Sequence, residues 1–117
     1  MDFVATEREL REVSEHQREL CRQYAIHRQE FGRASWEVMV LLVPNQRHDH
    51  FRKASYEKQI LMLLADTPEN HKEEVYGLVK QMKLSREKYK GLERLIEQAA
   101  GRISSVQSLL RFARNND

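Results

Sequence analysis

The sequence predicts an all-α fold, an elongated three-helix bundle or antiparallel coiled coil with two long helices and a short middle helix. Over residues 3–41 the positions Phe3, Thr6, Leu10, Val13, Gln17, Leu20, Tyr24, His27, Phe31, Ala34, Val38 and Leu41 alternate spacings of three and four. The series Val75, Leu78, Met82, Ser85, Tyr89, Leu92, Ile96, Ala99, Ile103, Val106, Leu110 and Ala113 does the same. Each series lays one largely apolar seam along a helix. Composition agrees, since 32% charged and 40% hydrophobic residues with only four Gly and two Pro suit helices carrying a narrow stripe.

The first helix is expected over residues 2–42. Pro44 stops it by removing an amide donor and by disfavouring the helical conformation of the residue before it. Asn45 then reads as the N-cap of a middle helix over 46–65. A third helix is expected over 68–113, with Thr67 as N-cap, Pro68 at the first helical position and Glu69 at the positive end of the helix dipole. The glycines support the phase of both seams. With Phe3 and Val75 as position a, Gly32 falls at b, Gly77 and Gly91 at c and Gly101 at f, all outward positions. The length of 117 residues suits one domain.

Helix one turns apolar nearly all round at its end, where Trp36, Met39, Val40, Leu42 and Val43 join Val38 and Leu41. That is the expected core, closed by Phe51, Tyr56, Ile60, Leu61, Leu63 and Leu64 from the middle helix. At ~1.5 Å per residue the long helices measure roughly 60 and 69 Å and the middle one about 30 Å. If helix one runs up and the middle helix down, helix three starts midway along helix one and overshoots it. The stripe Leu92, Leu95, Ile96, Ala99, Ile103, Val106, Leu109 and Leu110 would then lack a mate in its own chain and serve as a partner site.

Several function classes find little support. The net charge of +2 comes from interleaved signs, whereas nucleic-acid affinity needs basic residues gathered on one face. Neither nucleic acid nor membrane insertion is expected, because the apolar runs Val38–Val43 and Ile60–Ala65 fall far short of the roughly 20 residues a span requires. Cys21 is the only cysteine, which excludes an intrachain disulfide and suits a reducing compartment. The start, Met1-Asp2-Phe3-Val4, does not read as a secretory signal. A cytoplasmic location is therefore expected.

Chemistry-bearing residues are sparse. His48-Asp49-His50, with His71, is the best local metal candidate, yet a His-x-His pair supplies two ligands of the three or four that zinc needs. Cys21 sits beside the first seam without His16 or His27 at i±4, so it lacks the neighbouring base a nucleophile requires. No phosphate loop, Gly-x-Ser-x-Gly turn or His-Glu-x-x-His helix is present. No enzyme activity, cofactor or metal is expected. Gln17, His27 and Ser85 in the seams read as devices that penalise wrong registers. Tyr24, Phe31, Trp36 and Tyr89 read as core rather than as base-stacking platforms. Glu7–Arg11, Arg8–Glu12, Arg11–Glu15 and Lys83–Glu87 are spaced as i,i+4 pairs on solvated faces.

The run Tyr56-Glu57-Lys58-Gln59-Ile60-Leu61-Met62-Leu63-Leu64 and the later Gly91-Leu92-Glu93-Arg94-Leu95-Ile96-Glu97-Gln98-Ala99-Ala100 resemble the FlgN-type flagellar export chaperones, over residues 54–112. The resemblance implies a cytoplasmic, non-enzymatic chaperone of type III secretion whose C-terminal helix grips helical segments of export substrates. The alternative is a structural coiled-coil component, either an export-apparatus stalk resembling FliJ or YscO or a homodimeric adaptor.

Overall fold

A computed structural model describes residues 2–65 and 67–115 of the chain. Among them there are helices and turns and no strand, so the fold is all-α. Helix α1 (Phe3–Leu42) starts on Asp2, whose Oδ1 accepts the amides of Val4 and Ala5 at 3.0 and 3.2 Å. Such a cap contributes about 1 kcal/mol. The helix stops where expected, ahead of Pro44, with Val43 still donating its amide to Met39.

The middle of the chain differs from the single helix expected over 46–65. A 3-10 turn, Asn45–Arg47, leads into α2 (His48–Lys53), and α3 (Tyr56–Ala65) follows after a break. Ala54 is extended there, at φ −72° and ψ 152°. The break is stabilised from both sides. The Phe51 carbonyl accepts the Ala54 amide at 3.2 Å and the buried Gln59 Nε2 at 2.8 Å. Beyond it, Ser55 Oγ accepts the Lys58 amide at 3.3 Å and starts α3.

Two expected caps fall elsewhere. Asn45 lies inside the 3-10 turn, whose leading position is taken by Pro44 at φ −58° and ψ 145°. Proline's fixed φ sets that entry without a side-chain cap. The Thr67 hydroxyl donates to the Leu63 carbonyl, closing the end of α3 rather than opening the next helix. After Pro68 and a second 3-10 turn, Glu69–His71, helix α4 (Lys72–Asn115) runs unbroken through Gly77, Gly91 and Gly101. All four glycines are exposed, as their seam positions require.

The chain divides into two compact units, to each of which α1 and α4 contribute a part. One unit is His27–Glu87. Its core is Ala34, Val38 and Met39 of α1, Phe51 of α2, Leu63 of α3, and Val75 and Met82 of α4. Burying each large apolar side chain of this set contributes about 1.5–3 kcal/mol. Tyr56 lies over the edge of that core, with its ring 6.0 Å from Phe31 and the Arg86 guanidinium 4.3 Å from its centroid. Four residues assigned to this core from sequence are not in it. Trp36 and Val40 are 60% and 51% exposed, and Leu61 and Leu64 are 68% and 49% exposed. Trp36 and Val40 stand off the seam of α1, so the helix period placed them outward although the local composition suggested a helix buried all round.

The other unit holds residues 2–26 and 88–115. Thr6 and Leu20 of α1 are buried with Tyr89, Ala99, Val106 and Leu110 of α4. The helices are antiparallel here, because Tyr24 meets Tyr89 and Glu93 while Glu9, earlier in α1, meets Arg102, later in α4. The overshoot expected from sequence does not occur. Within the His27–Glu87 unit, Val75 at the start of α4 shares a core with Val38 and Met39 near the end of α1. Thus α4 begins where α1 ends, since the broken middle segment turns the chain back at once.

Candidate functional site

That antiparallel pairing changes the meaning of the C-terminal stripe. Ala99, Val106 and Leu110 are buried within the unit of residues 2–26 and 88–115, with Val106 only 4% exposed. Leu92, Ile96 and Ile103 are half-buried. The expectation that this stripe lacks a mate in its own chain is therefore corrected. Six of its eight residues form the seam against the first half of α1.

Leu95 and Leu109 remain exposed, at 46% and 45%. They stand two heptads apart with Arg102 midway, so all three fall on one flank of the seam. Phe112, also exposed, lies one turn beyond Leu109. Beside Leu95 a groove of about 530 Å³ opens between the helices, lined by Glu12, Val13 and His16 of α1 and by Leu95, Gln98, Ala99 and Arg102 of α4. Ala99 makes the recess, since a small residue in a seam leaves a hole that larger neighbours border. The floor is apolar and the rims are polar. An apolar floor between polar rims is a surface against which one edge of an amphipathic helix can lie.

Sequence reasoning identified two of the groove's residues, Leu95 and Ala99, and missed the α1 side. The signal was present. His16 and Glu9 occupy the g positions of α1, and antiparallel pairing brings a g flank to a g flank. Recognising this needed the direction of α4.

The other candidates fall into quieter roles. His48 Nε2 lies 2.7 Å from the Val43 carbonyl, which can only accept, so Nε2 carries the proton and donates near the end of α1. His71 faces Glu74 at 3.8 Å. No group of three or more potential metal-ligating side chains comes together among the described residues. Cys21 is exposed. In the seams Gln17 is half-buried and Ser85 buried, while the half-buried His27 donates from Nδ1 to Glu30 at 3.3 Å. Of the aromatic residues expected inside, Tyr89 is buried and Tyr24 and Phe31 half-buried, leaving Trp36 as the exception.

Charges pair differently from the expected i,i+4 set, none of which closes among the described residues. The pairs formed include Glu19 with Arg22, Asp49 with Lys53, Lys90 with Glu93, and Glu9 with Arg102 across the helices. Exposed pairs contribute so little that small differences in geometry choose among partners. The Arg22 guanidinium, aided by the Gln23 amide, holds the Glu19 carboxyl down at about 2.

No described helix is long and apolar enough to cross a membrane. No family model matches the chain, and neither does any curated protein or solved structure.

Proposed function

We propose that this chain is a non-enzymatic helical binding protein, acting in the cytoplasm as a secretion or flagellar export chaperone that holds amphipathic helical segments of export substrates against its C-terminal helix. The observation that carries the reading is the exposure of Leu95 and Leu109 on one flank of α4, beside a groove floored by Val13 and Ala99. A substrate helix laid along this flank would cover Leu95 and Leu109, and burial at about 25 cal/mol per Å² would drive the contact, less the cost of ordering the segment. A sticky amphipathic segment would thereby be kept from self-association until export.

The contact is placed on the flank of the seam rather than in the seam itself, and this selects the variants. Ile103 and Leu110 are half-buried and buried, so charging them would damage the fold. Leu95→Asp and Leu109→Asp alter exposed positions and should leave helix content and thermal midpoint nearly unchanged. The test is to recover the protein from its native host, identify the bound protein, and titrate that protein's terminal helix as a peptide. The reading expects an export substrate and at least tenfold weaker binding by Leu95→Asp. An unaffected affinity, or a partner with no exported helical segment, overturns it.

One observation favours a second reading, a structural coiled-coil component such as an export-apparatus stalk or a homodimeric adaptor. The α4 seam is already paired with α1 of the same chain, as a self-sufficient strut requires. This reading expects the native preparation to yield apparatus components or a stable dimer, and no free substrate.

A further inference from the structure

We infer that the groove selects an amphipathic helix bearing lysine or arginine beside its apolar edge, with a cation seated opposite Glu12; this rests on the helix-binding function proposed above. The groove's charges support the selection. On its α1 wall the acidic residue is Glu12, accompanied by Val13 and His16. Glu9 and Glu19, one turn before and two turns after, add carboxylates on the same side of the helix, and Arg8, one turn before Glu12 on that side, closes no ion pair with it among the described residues. Two of these three carboxylates are already engaged. Glu9 holds Arg102, and Glu19 is held by Arg22 and Gln23. Glu12 makes no ion pair among the described residues.

The opposite wall does not compensate it. Leu95, Gln98 and Ala99 are uncharged, and Arg102, the cation in the groove's lining, pairs with Glu9 rather than with Glu12. An occupant with a carboxylate near Glu12 would place two like charges on a partly desolvated surface, whereas a lysine or arginine there would supply the missing partner. Apolar contact with Leu95 and Val13 would set the affinity, and Glu12 would set which helices are accepted.

The test uses two synthetic helical peptides of about 18 residues, roughly 27 Å long. Both carry leucines at i, i+3, i+4 and i+7. One has lysines and the other glutamates on both sides of the leucine edge, so that binding in either direction presents the same charge to Glu12. Fluorescence anisotropy on the full chain at about 50 mM salt should show the lysine peptide bound about fivefold tighter, the difference shrinking at about 300 mM as screening shortens its reach. Glu12→Lys should reverse the order of the two peptides. Leu95→Asp should abolish binding of both, with circular dichroism confirming an intact fold. Equal affinities that still depend on Leu95, or an order that survives Glu12→Lys, would overturn the charge selection and leave helix binding in place. Absence of any Leu95-dependent binding by either peptide would overturn both.

Discussion

The ring of Tyr24 meets that of Tyr89 edge to face, with centroids 5.8 Å apart and planes at 85°, and the Tyr24 hydroxyl donates to Glu93 at 3.3 Å. Edge-to-face packing sets the positive rim of one ring against the negative face of the other. The hydroxyl reaches the outer edge of the seam, where its hydrogen bond is not left buried and unpaired. This pair therefore fixes the stagger of α1 against α4 within its unit, because a slip of one turn would separate both contacts.

Replacing Tyr89 with leucine keeps an apolar residue in the seam and removes the ring pair. A loss of about 0.5–1.5 kcal/mol is expected from the aromatic contact alone. Urea unfolding of wild type, Tyr24→Leu, Tyr89→Leu and the double variant gives the coupling directly. Strictly additive effects would show that the rings meet without stabilising each other.

Phe51 is 1% exposed at the centre of the His27–Glu87 core, and its carbonyl holds Gln59 across the break between α2 and α3. Phe51→Ala should cost about 3–5 kcal/mol through the cavity it leaves. Gln59→Leu tests the other half of the device. It should leave the Phe51 carbonyl with only its Ala54 bond and cost about 0.5–1.5 kcal/mol. Denaturant midpoints close to wild type in both variants would mean that this core does not hold the unit together.

How far the sequence reached can be read from the seams and from their neighbours. No residue assigned to either seam is exposed, and the four glycines all face outward. A strict seven-residue period leaves one phase that buries the apolar set, so shape and phase were legible. Trp36, at an f position, is exposed because the helix period outweighs the apolar composition around it. The break at Ala54–Ser55 is not legible in the sequence for a different reason. No Pro or Gly marks it, and it depends on Gln59 reaching Phe51, a contact that exists only after α3 folds back. The α1 wall of the groove, Glu12 with His16, depends on the direction of α4, which one chain's periodicity leaves undetermined.

The Glu19–Arg22 pair makes a pH-dependent prediction whose sign is fixed by the depressed carboxyl. Glu19 lies at about 2 in the folded chain against an ordinary value of 4.5. Its contribution to stability is present above about 4.5 and is lost as the pH falls from there through about 2. Carboxyl-carbon NMR titration should give Glu19 a midpoint well below that of a typical glutamate. In Arg22→Gln the midpoint should move back up, because the first and largest cause of the depression is gone. A wild-type midpoint near 4.5 would show that this exposed pair does not persist in solution.

The glycines of α4 offer the cleanest stability gain. A methyl group added at Gly77 or Gly101 would meet nothing within 4 Å, and neither residue has a positive φ that would strain alanine. Glycine in a helix interior costs about 1 kcal/mol relative to alanine, mainly through the freedom it loses on folding. Gly101→Ala and Gly77→Ala should therefore each raise stability by up to about 1 kcal/mol. The two residues lie in different units and share no neighbour, so their effects should add. Thermal and urea unfolding of the single and double variants checks both statements. A destabilised Gly101→Ala would imply that α4 needs glycine there to bend, contrary to the unbroken helix observed.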